Sequence, residues 1–326
     1  MHRPTLTVVA TAGVVILAAA CSPGPSGGGG SNAPAPATKD VALVLGVNGS
    51  PFYQALACGA QAEATKLGLN LKVSAPAQFA ADAQIPVVNA VAAARPAVAV
   101  IVPTDAQALV PPIQQLSTAG THVVTVDQTL ADPSLVKSEI VTDNMQGGHM
   151  AATEIVNLLG GNGKVLVITQ PPGSSAQDQR TQGFEDELKN HPGITYLGAQ
   201  YQSDDPQKSA QIVTATLSAH PDLAGIFSTN DQGAIGALTG LQQAGATNRV
   251  KLVAYDAATA EVNALKNGTL SALIAQNPKQ EGEVAMQVAD ALIQGKPVEQ
   301  KILTELVTIG PGENAKADQY QYVGNC

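Results

Sequence analysis

Polar side chains stand directly after four apolar runs of the sequence, where strands would end. Asp127 follows V-V-T-V, Asn230 and Asp231 follow I-F-S-T, Asp256 follows L-V-A-Y, and Gln276 follows A-L-I-A. Each could instead cap a helix, because Asn and Asp are preferred at helix N-termini, and Asp231 fits that role best. As a group, carboxylates and amides that each form two hydrogen bonds suit a ligand with adjacent hydroxyl groups.

A guanidinium and two aromatic rings could complete such a site. Arg180 is expected to open a helix after P-P-G-S-S-A-Q-D-Q, where it offers a fork of donors; its alternative role is a surface ion pair with Asp178 or Glu185. Phe52 and Tyr53 follow a proline that is expected to start the first helix, in a chain without Trp. We expect one ring to cover the C–H face of a small polyhydroxylated ligand, while the other could pack in the core.

Motifs for catalysis or metal binding are missing from the sequence. Catalysis needs a nucleophile, a base and an orienting group within reach, or a metal ion. No H-E-x-x-H or G-x-S-x-G occurs, and Gly27–Gly30 lack the lysine and helix of a phosphate-binding loop. The histidines form no spaced cluster: His2, His122, His149, His191 and His220. We therefore expect a binding protein rather than an enzyme, with no cofactor and no metal.

The elements that must position these residues alternate as strand and helix. Runs that are apolar throughout suit strands covered on both faces. Strands are expected at Val41–Val47 and in runs ending at Pro103, Asp127, Thr169, Thr229, Asp256 and Gln276. Helices are expected at Phe52–Leu67, Asp105–Ala119, Met145–Leu159, Asp178–Lys189, Asp231–Ala244 and Lys279–Gln294. Because the order occurs twice, we predict an α/β fold of two doubly wound lobes with parallel sheets, which bind ligands at the carboxyl ends of their strands.

The N-terminus reads as an export signal. Arg3 precedes an uncharged apolar run, Leu6–Ala20, that is too short to span a bilayer, and Cys21 follows directly. This arrangement resembles the lipidation site of bacterial lipoproteins. We expect a signal peptide over residues 1–20, lipidation at Cys21 rather than a soluble secreted form, and a flexible tether over residues 21–38.

Charge and the other cysteines limit the partners further. The formal net charge of −9, without a basic patch, argues against nucleic acid. No run past Ala20 is long and apolar enough for a transmembrane helix. Cys58 and Cys326 remain as a pair, which favours a disulfide in an oxidising compartment; the alternative is a buried free Cys58 and a frayed Cys326.

Eight segments give the sequence a specific resemblance through their order and spacing. They are V-A-L-V-L-G-V-N-G-S-P-F-Y, G-A-Q-A-E-A-T-K-L-G, V-P-T-D-A-Q-A-L, T-V-D-Q, T-D-N-M-Q-G-G, T-N-D-Q-G-A-I-G-A-L, V-A-Y-D and I-A-Q-N-P. From about Val41 to Ile309 the sequence resembles the periplasmic sugar-binding proteins of ABC importers, in particular the ribose-binding type of the type I periplasmic binding protein family.

The resemblance implies two Rossmann-like lobes joined by a three-strand hinge, closing on one monosaccharide. The hinge crossings are expected near Thr142 and Asp143, near Gln276 and Asn277, and near Leu303 to Leu306. The implied N-terminal lobe is 39–142 plus 277–303, the C-terminal lobe is 143–276 plus 304–310, and a tail of 311–326 lies past the family core. The implied ligand contacts are Phe52, Tyr53, Asp127, Arg180, Asn230, Asp256 and the hinge residue Gln276.

Departures from the ribose-binding type concern the ligand. Gln128 stands where that type has an Arg, and Asp204 or Asp205 stands where it has a stacking aromatic ring. Tyr255 replaces a Phe, and Ser50 replaces an Asn. We count Gln128, Asp204 and Tyr255 among the ligand contacts, with Tyr255 sharing the apolar role of the aromatic pair. A different pentose or an open-chain sugar alcohol is expected.

The function that the resemblance implies is extracytoplasmic solute binding for an ABC importer. The protein would be a lipid-anchored monomer that delivers a sugar to a membrane permease. A transcriptional sugar sensor would carry a basic helix-turn-helix at its N-terminus in place of the export signal. A sensor module that presents its ligand to a chemoreceptor or a sensor kinase remains the alternative; neighbouring permease and ATPase genes would favour transport.

Overall fold

A computed structural model describes residues 38–322 and residue 326. The predicted signal peptide, Cys21 and the tether up to residue 37 lie outside the described residues. The strands are β1 Asp40–Val44, β2 Asn70–Ser74, β3 Val98–Ile101, β4 His122–Val126, β5 Ser138–Val141, β6 Gly163–Thr169, β7 Ile194–Tyr201, β8 Leu223–Ser228, β9 Lys251–Tyr255, β10 Ala272–Gln276, β11 Lys301–Leu303 and β12 Leu306–Ile309. The α-helices are α1 Pro51–Leu67, α2 Ala81–Ala94, α3 Val110–Thr118, α4 Asn144–Leu158, α5 Ser175–Leu188, α6 Pro206–Ala219, α7 Asp231–Gln243, α8 Thr259–Lys266, α9 Pro278–Ile293 and α10 Asn314–Tyr320.

The strands form two six-stranded sheets, one in each lobe. The N-terminal lobe has the order β11-β5-β4-β3-β1-β2, and the C-terminal lobe has the order β12-β10-β9-β8-β6-β7. Every pair in the first sheet is parallel. The predicted α/β fold of two lobes with parallel sheets is confirmed, with one antiparallel strand, β12.

The chain passes between the two sheets at three places within residues 38–322. It leaves the first sheet after β5, leaves the second after β10, and crosses again between β11 and β12. Only residues 304 and 305 separate β11 from β12, so the chain enters the second lobe without turning back. Strand β11 runs towards the cleft, like the other strands of its sheet. Strand β12 continues in the same direction and so runs away from the cleft, which makes it antiparallel to β10.

Apolar side chains cover both faces of the sheets. Leu43 and Val100 pack in one buried cluster, while their neighbours Val44 and Ile101 pack in another on the opposite face. Successive side chains of a strand point to opposite faces, so strands with two covered faces read as continuous apolar runs. This is why these strands could be recognised from the sequence.

At the starts of three helices, polar residues have roles other than the predicted ones. Helix α5 begins at Ser175, so Arg180 lies in its second turn and does not open it. Asn230 is the N-cap of α7, with its side chain accepting from the amide of Gly233, and Asp231 is the first helical residue. Helix α3 begins at Val110 because Asp105 instead caps a preceding turn, where it accepts from two backbone amides.

The C-terminal segment packs against the C-terminal lobe and is linked to the N-terminal lobe. Lys266 of α8 forms an ion pair with Asp318 of α10, and the amide of Tyr322 donates to the carbonyl oxygen of Ala257 at 3.0 Å. A disulfide joins Cys326 to Cys58 of α1, with the two Cα atoms 5.2 Å apart. None of the helices in the described part of the chain has the length and apolar character needed to cross a membrane.

Candidate functional site

A small cavity lies between the two lobes, where the carboxyl ends of both sheets meet. Its empty volume, which includes space open to solvent, is about 330 Å³. The lining residues are Ser50, Phe52, Tyr53, Phe79, Asp127, Gln170, Gln177, Arg180, Asp204, Asn230, Asp231, Asp256 and Gln276. All the predicted contacts except Gln128 and Tyr255 are therefore brought together here.

Two carboxylates enter the cavity from the ends of strands β4 and β9. Asp127 and Asp256 both have left-handed backbone angles, with φ of 65° and 90°. Their amides still donate to the neighbouring strands, at the carbonyl oxygens of Ile140 and Ile274. Asp is one of the few residues that adopt this conformation readily, so each strand can end with its carboxylate at the cleft.

The protein's hydrogen bonds to the side chain of Asp127 go to one of its two carboxylate oxygens. Its Oδ2 accepts from the hydroxyl of Tyr53 at 3.0 Å and from Nε2 of Gln128 at 3.4 Å. Burial raises the pKa of Asp127 to about 6, the charge of Arg180 and the Tyr53 hydrogen bond oppose that rise, and the charge of Asp256 adds to it. The Oδ1 atom of Asp127 accepts no protein hydrogen bond within residues 38–322, so it can accept one from a ligand.

Arg180 is a buried part of the site and not a surface residue. Its side chain is 1% exposed. Its Nε donates to Oδ1 of Asn144 and its Nη1 donates to the carbonyl oxygen of Thr229, both at 2.8 Å. Its third nitrogen, Nη2, is buried without a hydrogen-bond partner among the described residues. An unpaired buried donor is costly, so a ligand hydroxyl at this nitrogen would be strongly favoured.

Asp256 is connected to the hinge. Its Oδ1 accepts from Nε2 of Gln276 at 2.6 Å, and Oε1 of Gln276 accepts from the hydroxyl of Thr142 at 2.8 Å. Thr142 follows β5 and Gln276 ends β10, so both belong to chain crossings between the lobes. Tyr322 donates to the same Oδ1 at 2.9 Å, and the amide of Asp231 donates to Oδ2 at 3.0 Å.

Asp204 lies in the C-terminal lobe, at one of the two positions that correspond to the stacking aromatic ring of the ribose-binding type. Its Oδ1 accepts from Nε2 of Gln170 at 3.0 Å and from Nδ2 of Asn230 at 2.9 Å. Burial raises the pKa of Asp204 to about 6, against the opposing effect of the Asn230 hydrogen bond. The neighbouring Asp205 caps α6 through the amides of Gln207 and Lys208 and does not line the cavity.

The aromatic side chains form one wall of the cavity on the N-terminal lobe. Phe52 and Tyr53 meet edge to face, with ring centroids 5.3 Å apart, and both line the cavity. Phe79 lies nearly parallel to Tyr53 at 6.4 Å, and Tyr322 packs on Phe52 at 5.7 Å. We expected only one of the two rings to face the cleft, but both Phe52 and Tyr53 line the cavity.

Gln128 and Tyr255 were predicted to contact the ligand but lie behind the cavity wall. Oε1 of Gln128 accepts from the amide of Ala176 at 2.9 Å, at the start of α5 in the opposite lobe. Tyr255 is fully buried, and the guanidinium carbon of Arg180 lies 3.8 Å above its ring. The first residue links the lobes, and the second supports the guanidinium from behind.

Several lining residues escaped the sequence reasoning. Gln170 follows β6 directly, so the strand-end rule that found Asp127 should also have found it. Phe79 and Gln177 lie in a loop and in the first turn of α5, and no pattern marks them. Tyr322 lies past the segment in which the family resemblance was recognised.

Two buried acids lie close to Asp256: Asp231 lines the cavity, and Glu261 lies behind it. Burial raises the pKa of Asp231 and of Glu261 well above the usual range, and the nearby charge of Asp256 adds to both shifts. No group of three or more His, Cys, Asp or Glu side chains in the described ranges is placed to hold a metal ion.

Comparisons with known proteins agree with this architecture. The sequence profile of the periplasmic binding protein domain matches residues 41–297. The ribose import binding protein of Salmonella typhimurium is 34% identical over 274 residues, which cover 83% of this chain and 90% of that protein. An ABC transporter solute-binding protein from Agrobacterium vitis, with bound α-D-tagatopyranose, is 34% identical with a TM-score of 0.85, covering 87% of this chain and 99% of that one.

A further solved structure from Agrobacterium vitis is an ABC transporter solute-binding protein with bound D-fucose. It is 26% identical, with a TM-score of 0.82, and the match covers 87% of this chain and all of that one, 100%. The profile match and the ribose-binding relative both extend over most of the folded chain. By these matches, and by its two sheets with a polar cavity between them, the chain belongs to the periplasmic binding protein family.

Proposed function

We propose that this protein is the solute-binding component of an ABC importer and captures a pentose-like sugar or an open-chain sugar alcohol between its lobes. The observation that carries the proposal is the cavity itself. It is lined by Arg180, whose Nη2 donor is buried without a partner among the described residues, and by Asp127, whose two side-chain hydrogen bonds both go to Oδ2 and leave Oδ1 as an acceptor. A hydroxyl group can donate to one and accept from the other, and an apolar ligand can do neither.

The distribution of polar and aromatic groups supports a small, hydroxyl-rich ligand. The aromatic wall belongs to the N-terminal lobe, while the C-terminal lobe contributes Gln170, Asp204 and Asn230 to the cavity lining. Such a cavity covers one apolar face of a ligand and surrounds the rest with donors and acceptors. The ribose-binding and tagatose-bound relatives make sugars the first candidates.

Capture would use the hinge between the lobes. A ligand that contacts both lobes favours the closed state, by no more than the difference between its affinities for the two states. The Thr142–Gln276–Asp256 hydrogen bonds connect Asp256, a proposed ligand contact, to two of the chain crossings between the lobes. The bond from Ala176 to Gln128 joins the lobes beside the cavity and stabilises the closed arrangement.

In the proposed role, the protein delivers its bound ligand to a permease. We infer an extracytoplasmic monomer, held at the membrane by a lipid on Cys21 and by the tether of residues 21–38. Docking of the closed lobes on the permease would then release the ligand into the transport path.

A thermal-shift panel tests the proposal. The compounds are D-ribose, D-arabinose, D-tagatose, D-fucose, D-glucose and xylitol. A ligand at 100 times its dissociation constant stabilises a protein by about 2.7 kcal/mol, so we expect one small group of pentoses or sugar alcohols to raise Tm by several degrees. The absence of a shift with every compound would contradict sugar binding.

The variant Asp256→Ala tests whether the cavity is the binding site. It removes the carboxylate that the hinge residue Gln276 holds in place, so we expect the ligand-induced shift to disappear while the protein remains folded. Asp222→Ala is the control, because Asp222 is an exposed residue whose side chain pairs with Lys164 at the start of β6, at the opposite end of that strand from the cavity. Survival of the shift in Asp256→Ala would show that the ligand binds elsewhere.

A further inference from the structure

The C-terminal segment reaches the ligand site through one side chain, Tyr322. This residue is 5% exposed, its hydroxyl lies 2.9 Å from Oδ1 of Asp256, and its ring packs edge to face on Phe52. It does not line the cavity, but both of its partners do. Tyr322 therefore touches the polar and the apolar walls of the site from behind.

The hydroxyl of Tyr322 completes the support of Asp256. Gln276 and Tyr322 donate to Oδ1, and the amide of Asp231 donates to Oδ2. Burial raises the pKa of Tyr322, and the charge of Asp256 adds to the rise, so the hydroxyl keeps its proton and remains a donor. These three donors hold Asp256 from β10, from the C-terminal segment and from the start of α7, while Asp256 itself lines the cavity.

Several contacts fix Tyr322 in this place. Its amide donates to Ala257, the residue after Asp256, and Nε2 of the preceding Gln321 donates to Thr259 at 3.0 Å. Four residues further on, Cys326 is bound to Cys58 of α1. Tyr322 thus lies between an anchor on the C-terminal lobe and a covalent link to the N-terminal lobe.

We propose that Tyr322 is a positioning residue of the ligand site and that the Cys58–Cys326 disulfide helps to hold it there. The proposal rests on the proposed function for its ligand, but its geometric core, the positioning of Asp256, stands independently. In the competing account, the segment only packs on the surface and contributes to stability without affecting the site.

Tyr322→Phe separates these accounts, with Tyr320→Phe as the matched control. Both variants remove one phenolic hydroxyl from the same segment, but that of Tyr320 lies near Glu305, and neither Tyr320 nor Glu305 lines the cavity. Titration calorimetry with D-ribose, D-arabinose, D-tagatose and xylitol gives the affinities. Because hydrogen bonds to charged groups are among the stronger ones, we expect Tyr322→Phe to weaken the tightest-binding compound about tenfold and Tyr320→Phe to leave it unchanged.

Hydrogen exchange of the Asp231 amide provides a readout that needs no sugar. This amide donates to Oδ2 of Asp256, so a less firmly held carboxylate exposes it more often. In NMR exchange measurements on the ligand-free protein, we expect faster exchange at Asp231 in Tyr322→Phe than in Tyr320→Phe. If no compound binds the wild type, the proposed function fails, and this measurement still decides the inference.

The double variant Cys58→Ser with Cys326→Ser tests the role of the disulfide. We expect the double variant to bind the ligand more weakly than the wild type and to exchange the Asp231 amide faster. Neither change should exceed the change seen in Tyr322→Phe. Wild-type affinity and exchange in the double variant would overturn the part assigned to the disulfide. Equal affinity and equal Asp231 exchange in Tyr322→Phe and Tyr320→Phe would overturn the positioning role altogether.

Discussion

At the scale of single residues, the ionisation of Asp127 and Asp204 controls the charge of the cavity. Burial raises the pKa of each to about 6, so both carboxyl groups are ionised at pH 7.5 and largely protonated at pH 5. Hydrogen bonds to an ionised carboxylate are about twice as strong as neutral ones. The site is therefore best equipped to accept ligand hydroxyl groups above pH 6.

This charge predicts that ligand affinity falls in acid. If binding needs the ionised form of Asp127, one pH unit below its pKa lowers the affinity roughly tenfold. We expect calorimetric Kd values to rise about tenfold or more between pH 7.5 and pH 5. In Asp127→Asn, the affinity should be lower at pH 7.5, and the part of the pH dependence due to Asp127 should be missing.

Stability of the free protein provides the control, because it changes in the opposite direction. A carboxyl group whose pKa is raised on folding contributes stability that is fully present below the unfolded-state pKa, near 4, and is lost as the pH rises through about 6. Through these two groups, the ligand-free protein is more stable at pH 5 than at pH 7.5. Weaker binding at pH 5 therefore does not reflect unfolding, and equal affinities at the two pH values would show that the ligand does not require the carboxylate charge.

The residues that could be predicted from the sequence are those that chain direction alone places at the cleft. Asp127, Asp256 and Gln276 end or follow strands, and parallel strands bring their carboxyl ends together. Gln128 and Tyr255 are also at strand ends, but each side chain is turned away by a partner distant in the sequence, the start of α5 or the guanidinium of Arg180. No local pattern encodes such a partner.

At the scale of elements, close contact between helices α1 and α9 holds the N-terminal lobe together. A Cβ atom at Gly282 would overlap the carbonyl oxygen of Leu56, and one at Gly59 would overlap that of Lys279. Helix α9 begins directly after the crossing at Gln276. Its position against α1 therefore fixes how the hinge leaves the C-terminal lobe.

Gly282→Ala should lower the free energy of unfolding even though Ala is the better helix former by about 1 kcal/mol. Overpacking a close contact costs typically about 1–3 kcal/mol, and here the obstacle is backbone, which cannot rotate away. Urea unfolding of Gly282→Ala beside Glu283→Ala, a substitution of the next, half-exposed residue, measures the effect. Unchanged stability of Gly282→Ala would mean that the helices separate at little cost.

Several elements that the sequence did not predict have patterns that depend on partial exposure. Strand β2 reads N-L-K-V-S at the edge of its sheet, so its polar residues break the apolar run that marked the central strands. Strand β7 is an edge strand in the same way. Helix α2 contains Pro86 and is rich in Ala, which leaves no clear apolar stripe.

At the scale of the whole molecule, the repeated order of strands and helices was sufficient to predict two lobes. The reversal of β12 was not predicted, because it follows from where the chain crosses the cleft and not from the residues of the strand. The route of the C-terminal segment was likewise absent from the pattern, although the pairing of Cys58 with Cys326 was the favoured interpretation and the structure contains that bond. Long-range connections are the part of this fold that local sequence patterns leave open.

Isothermal titration calorimetry of the wild-type protein with the pentoses, hexoses and sugar alcohols of the panel tests the central claim most directly. We predict saturable binding of one ligand per chain for a small group of these compounds, and loss of that binding in Arg180→Gln, which removes the unpaired donor from the cavity. Absence of binding heat for every compound, or binding that Arg180→Gln leaves intact, would contradict capture of a sugar between the lobes.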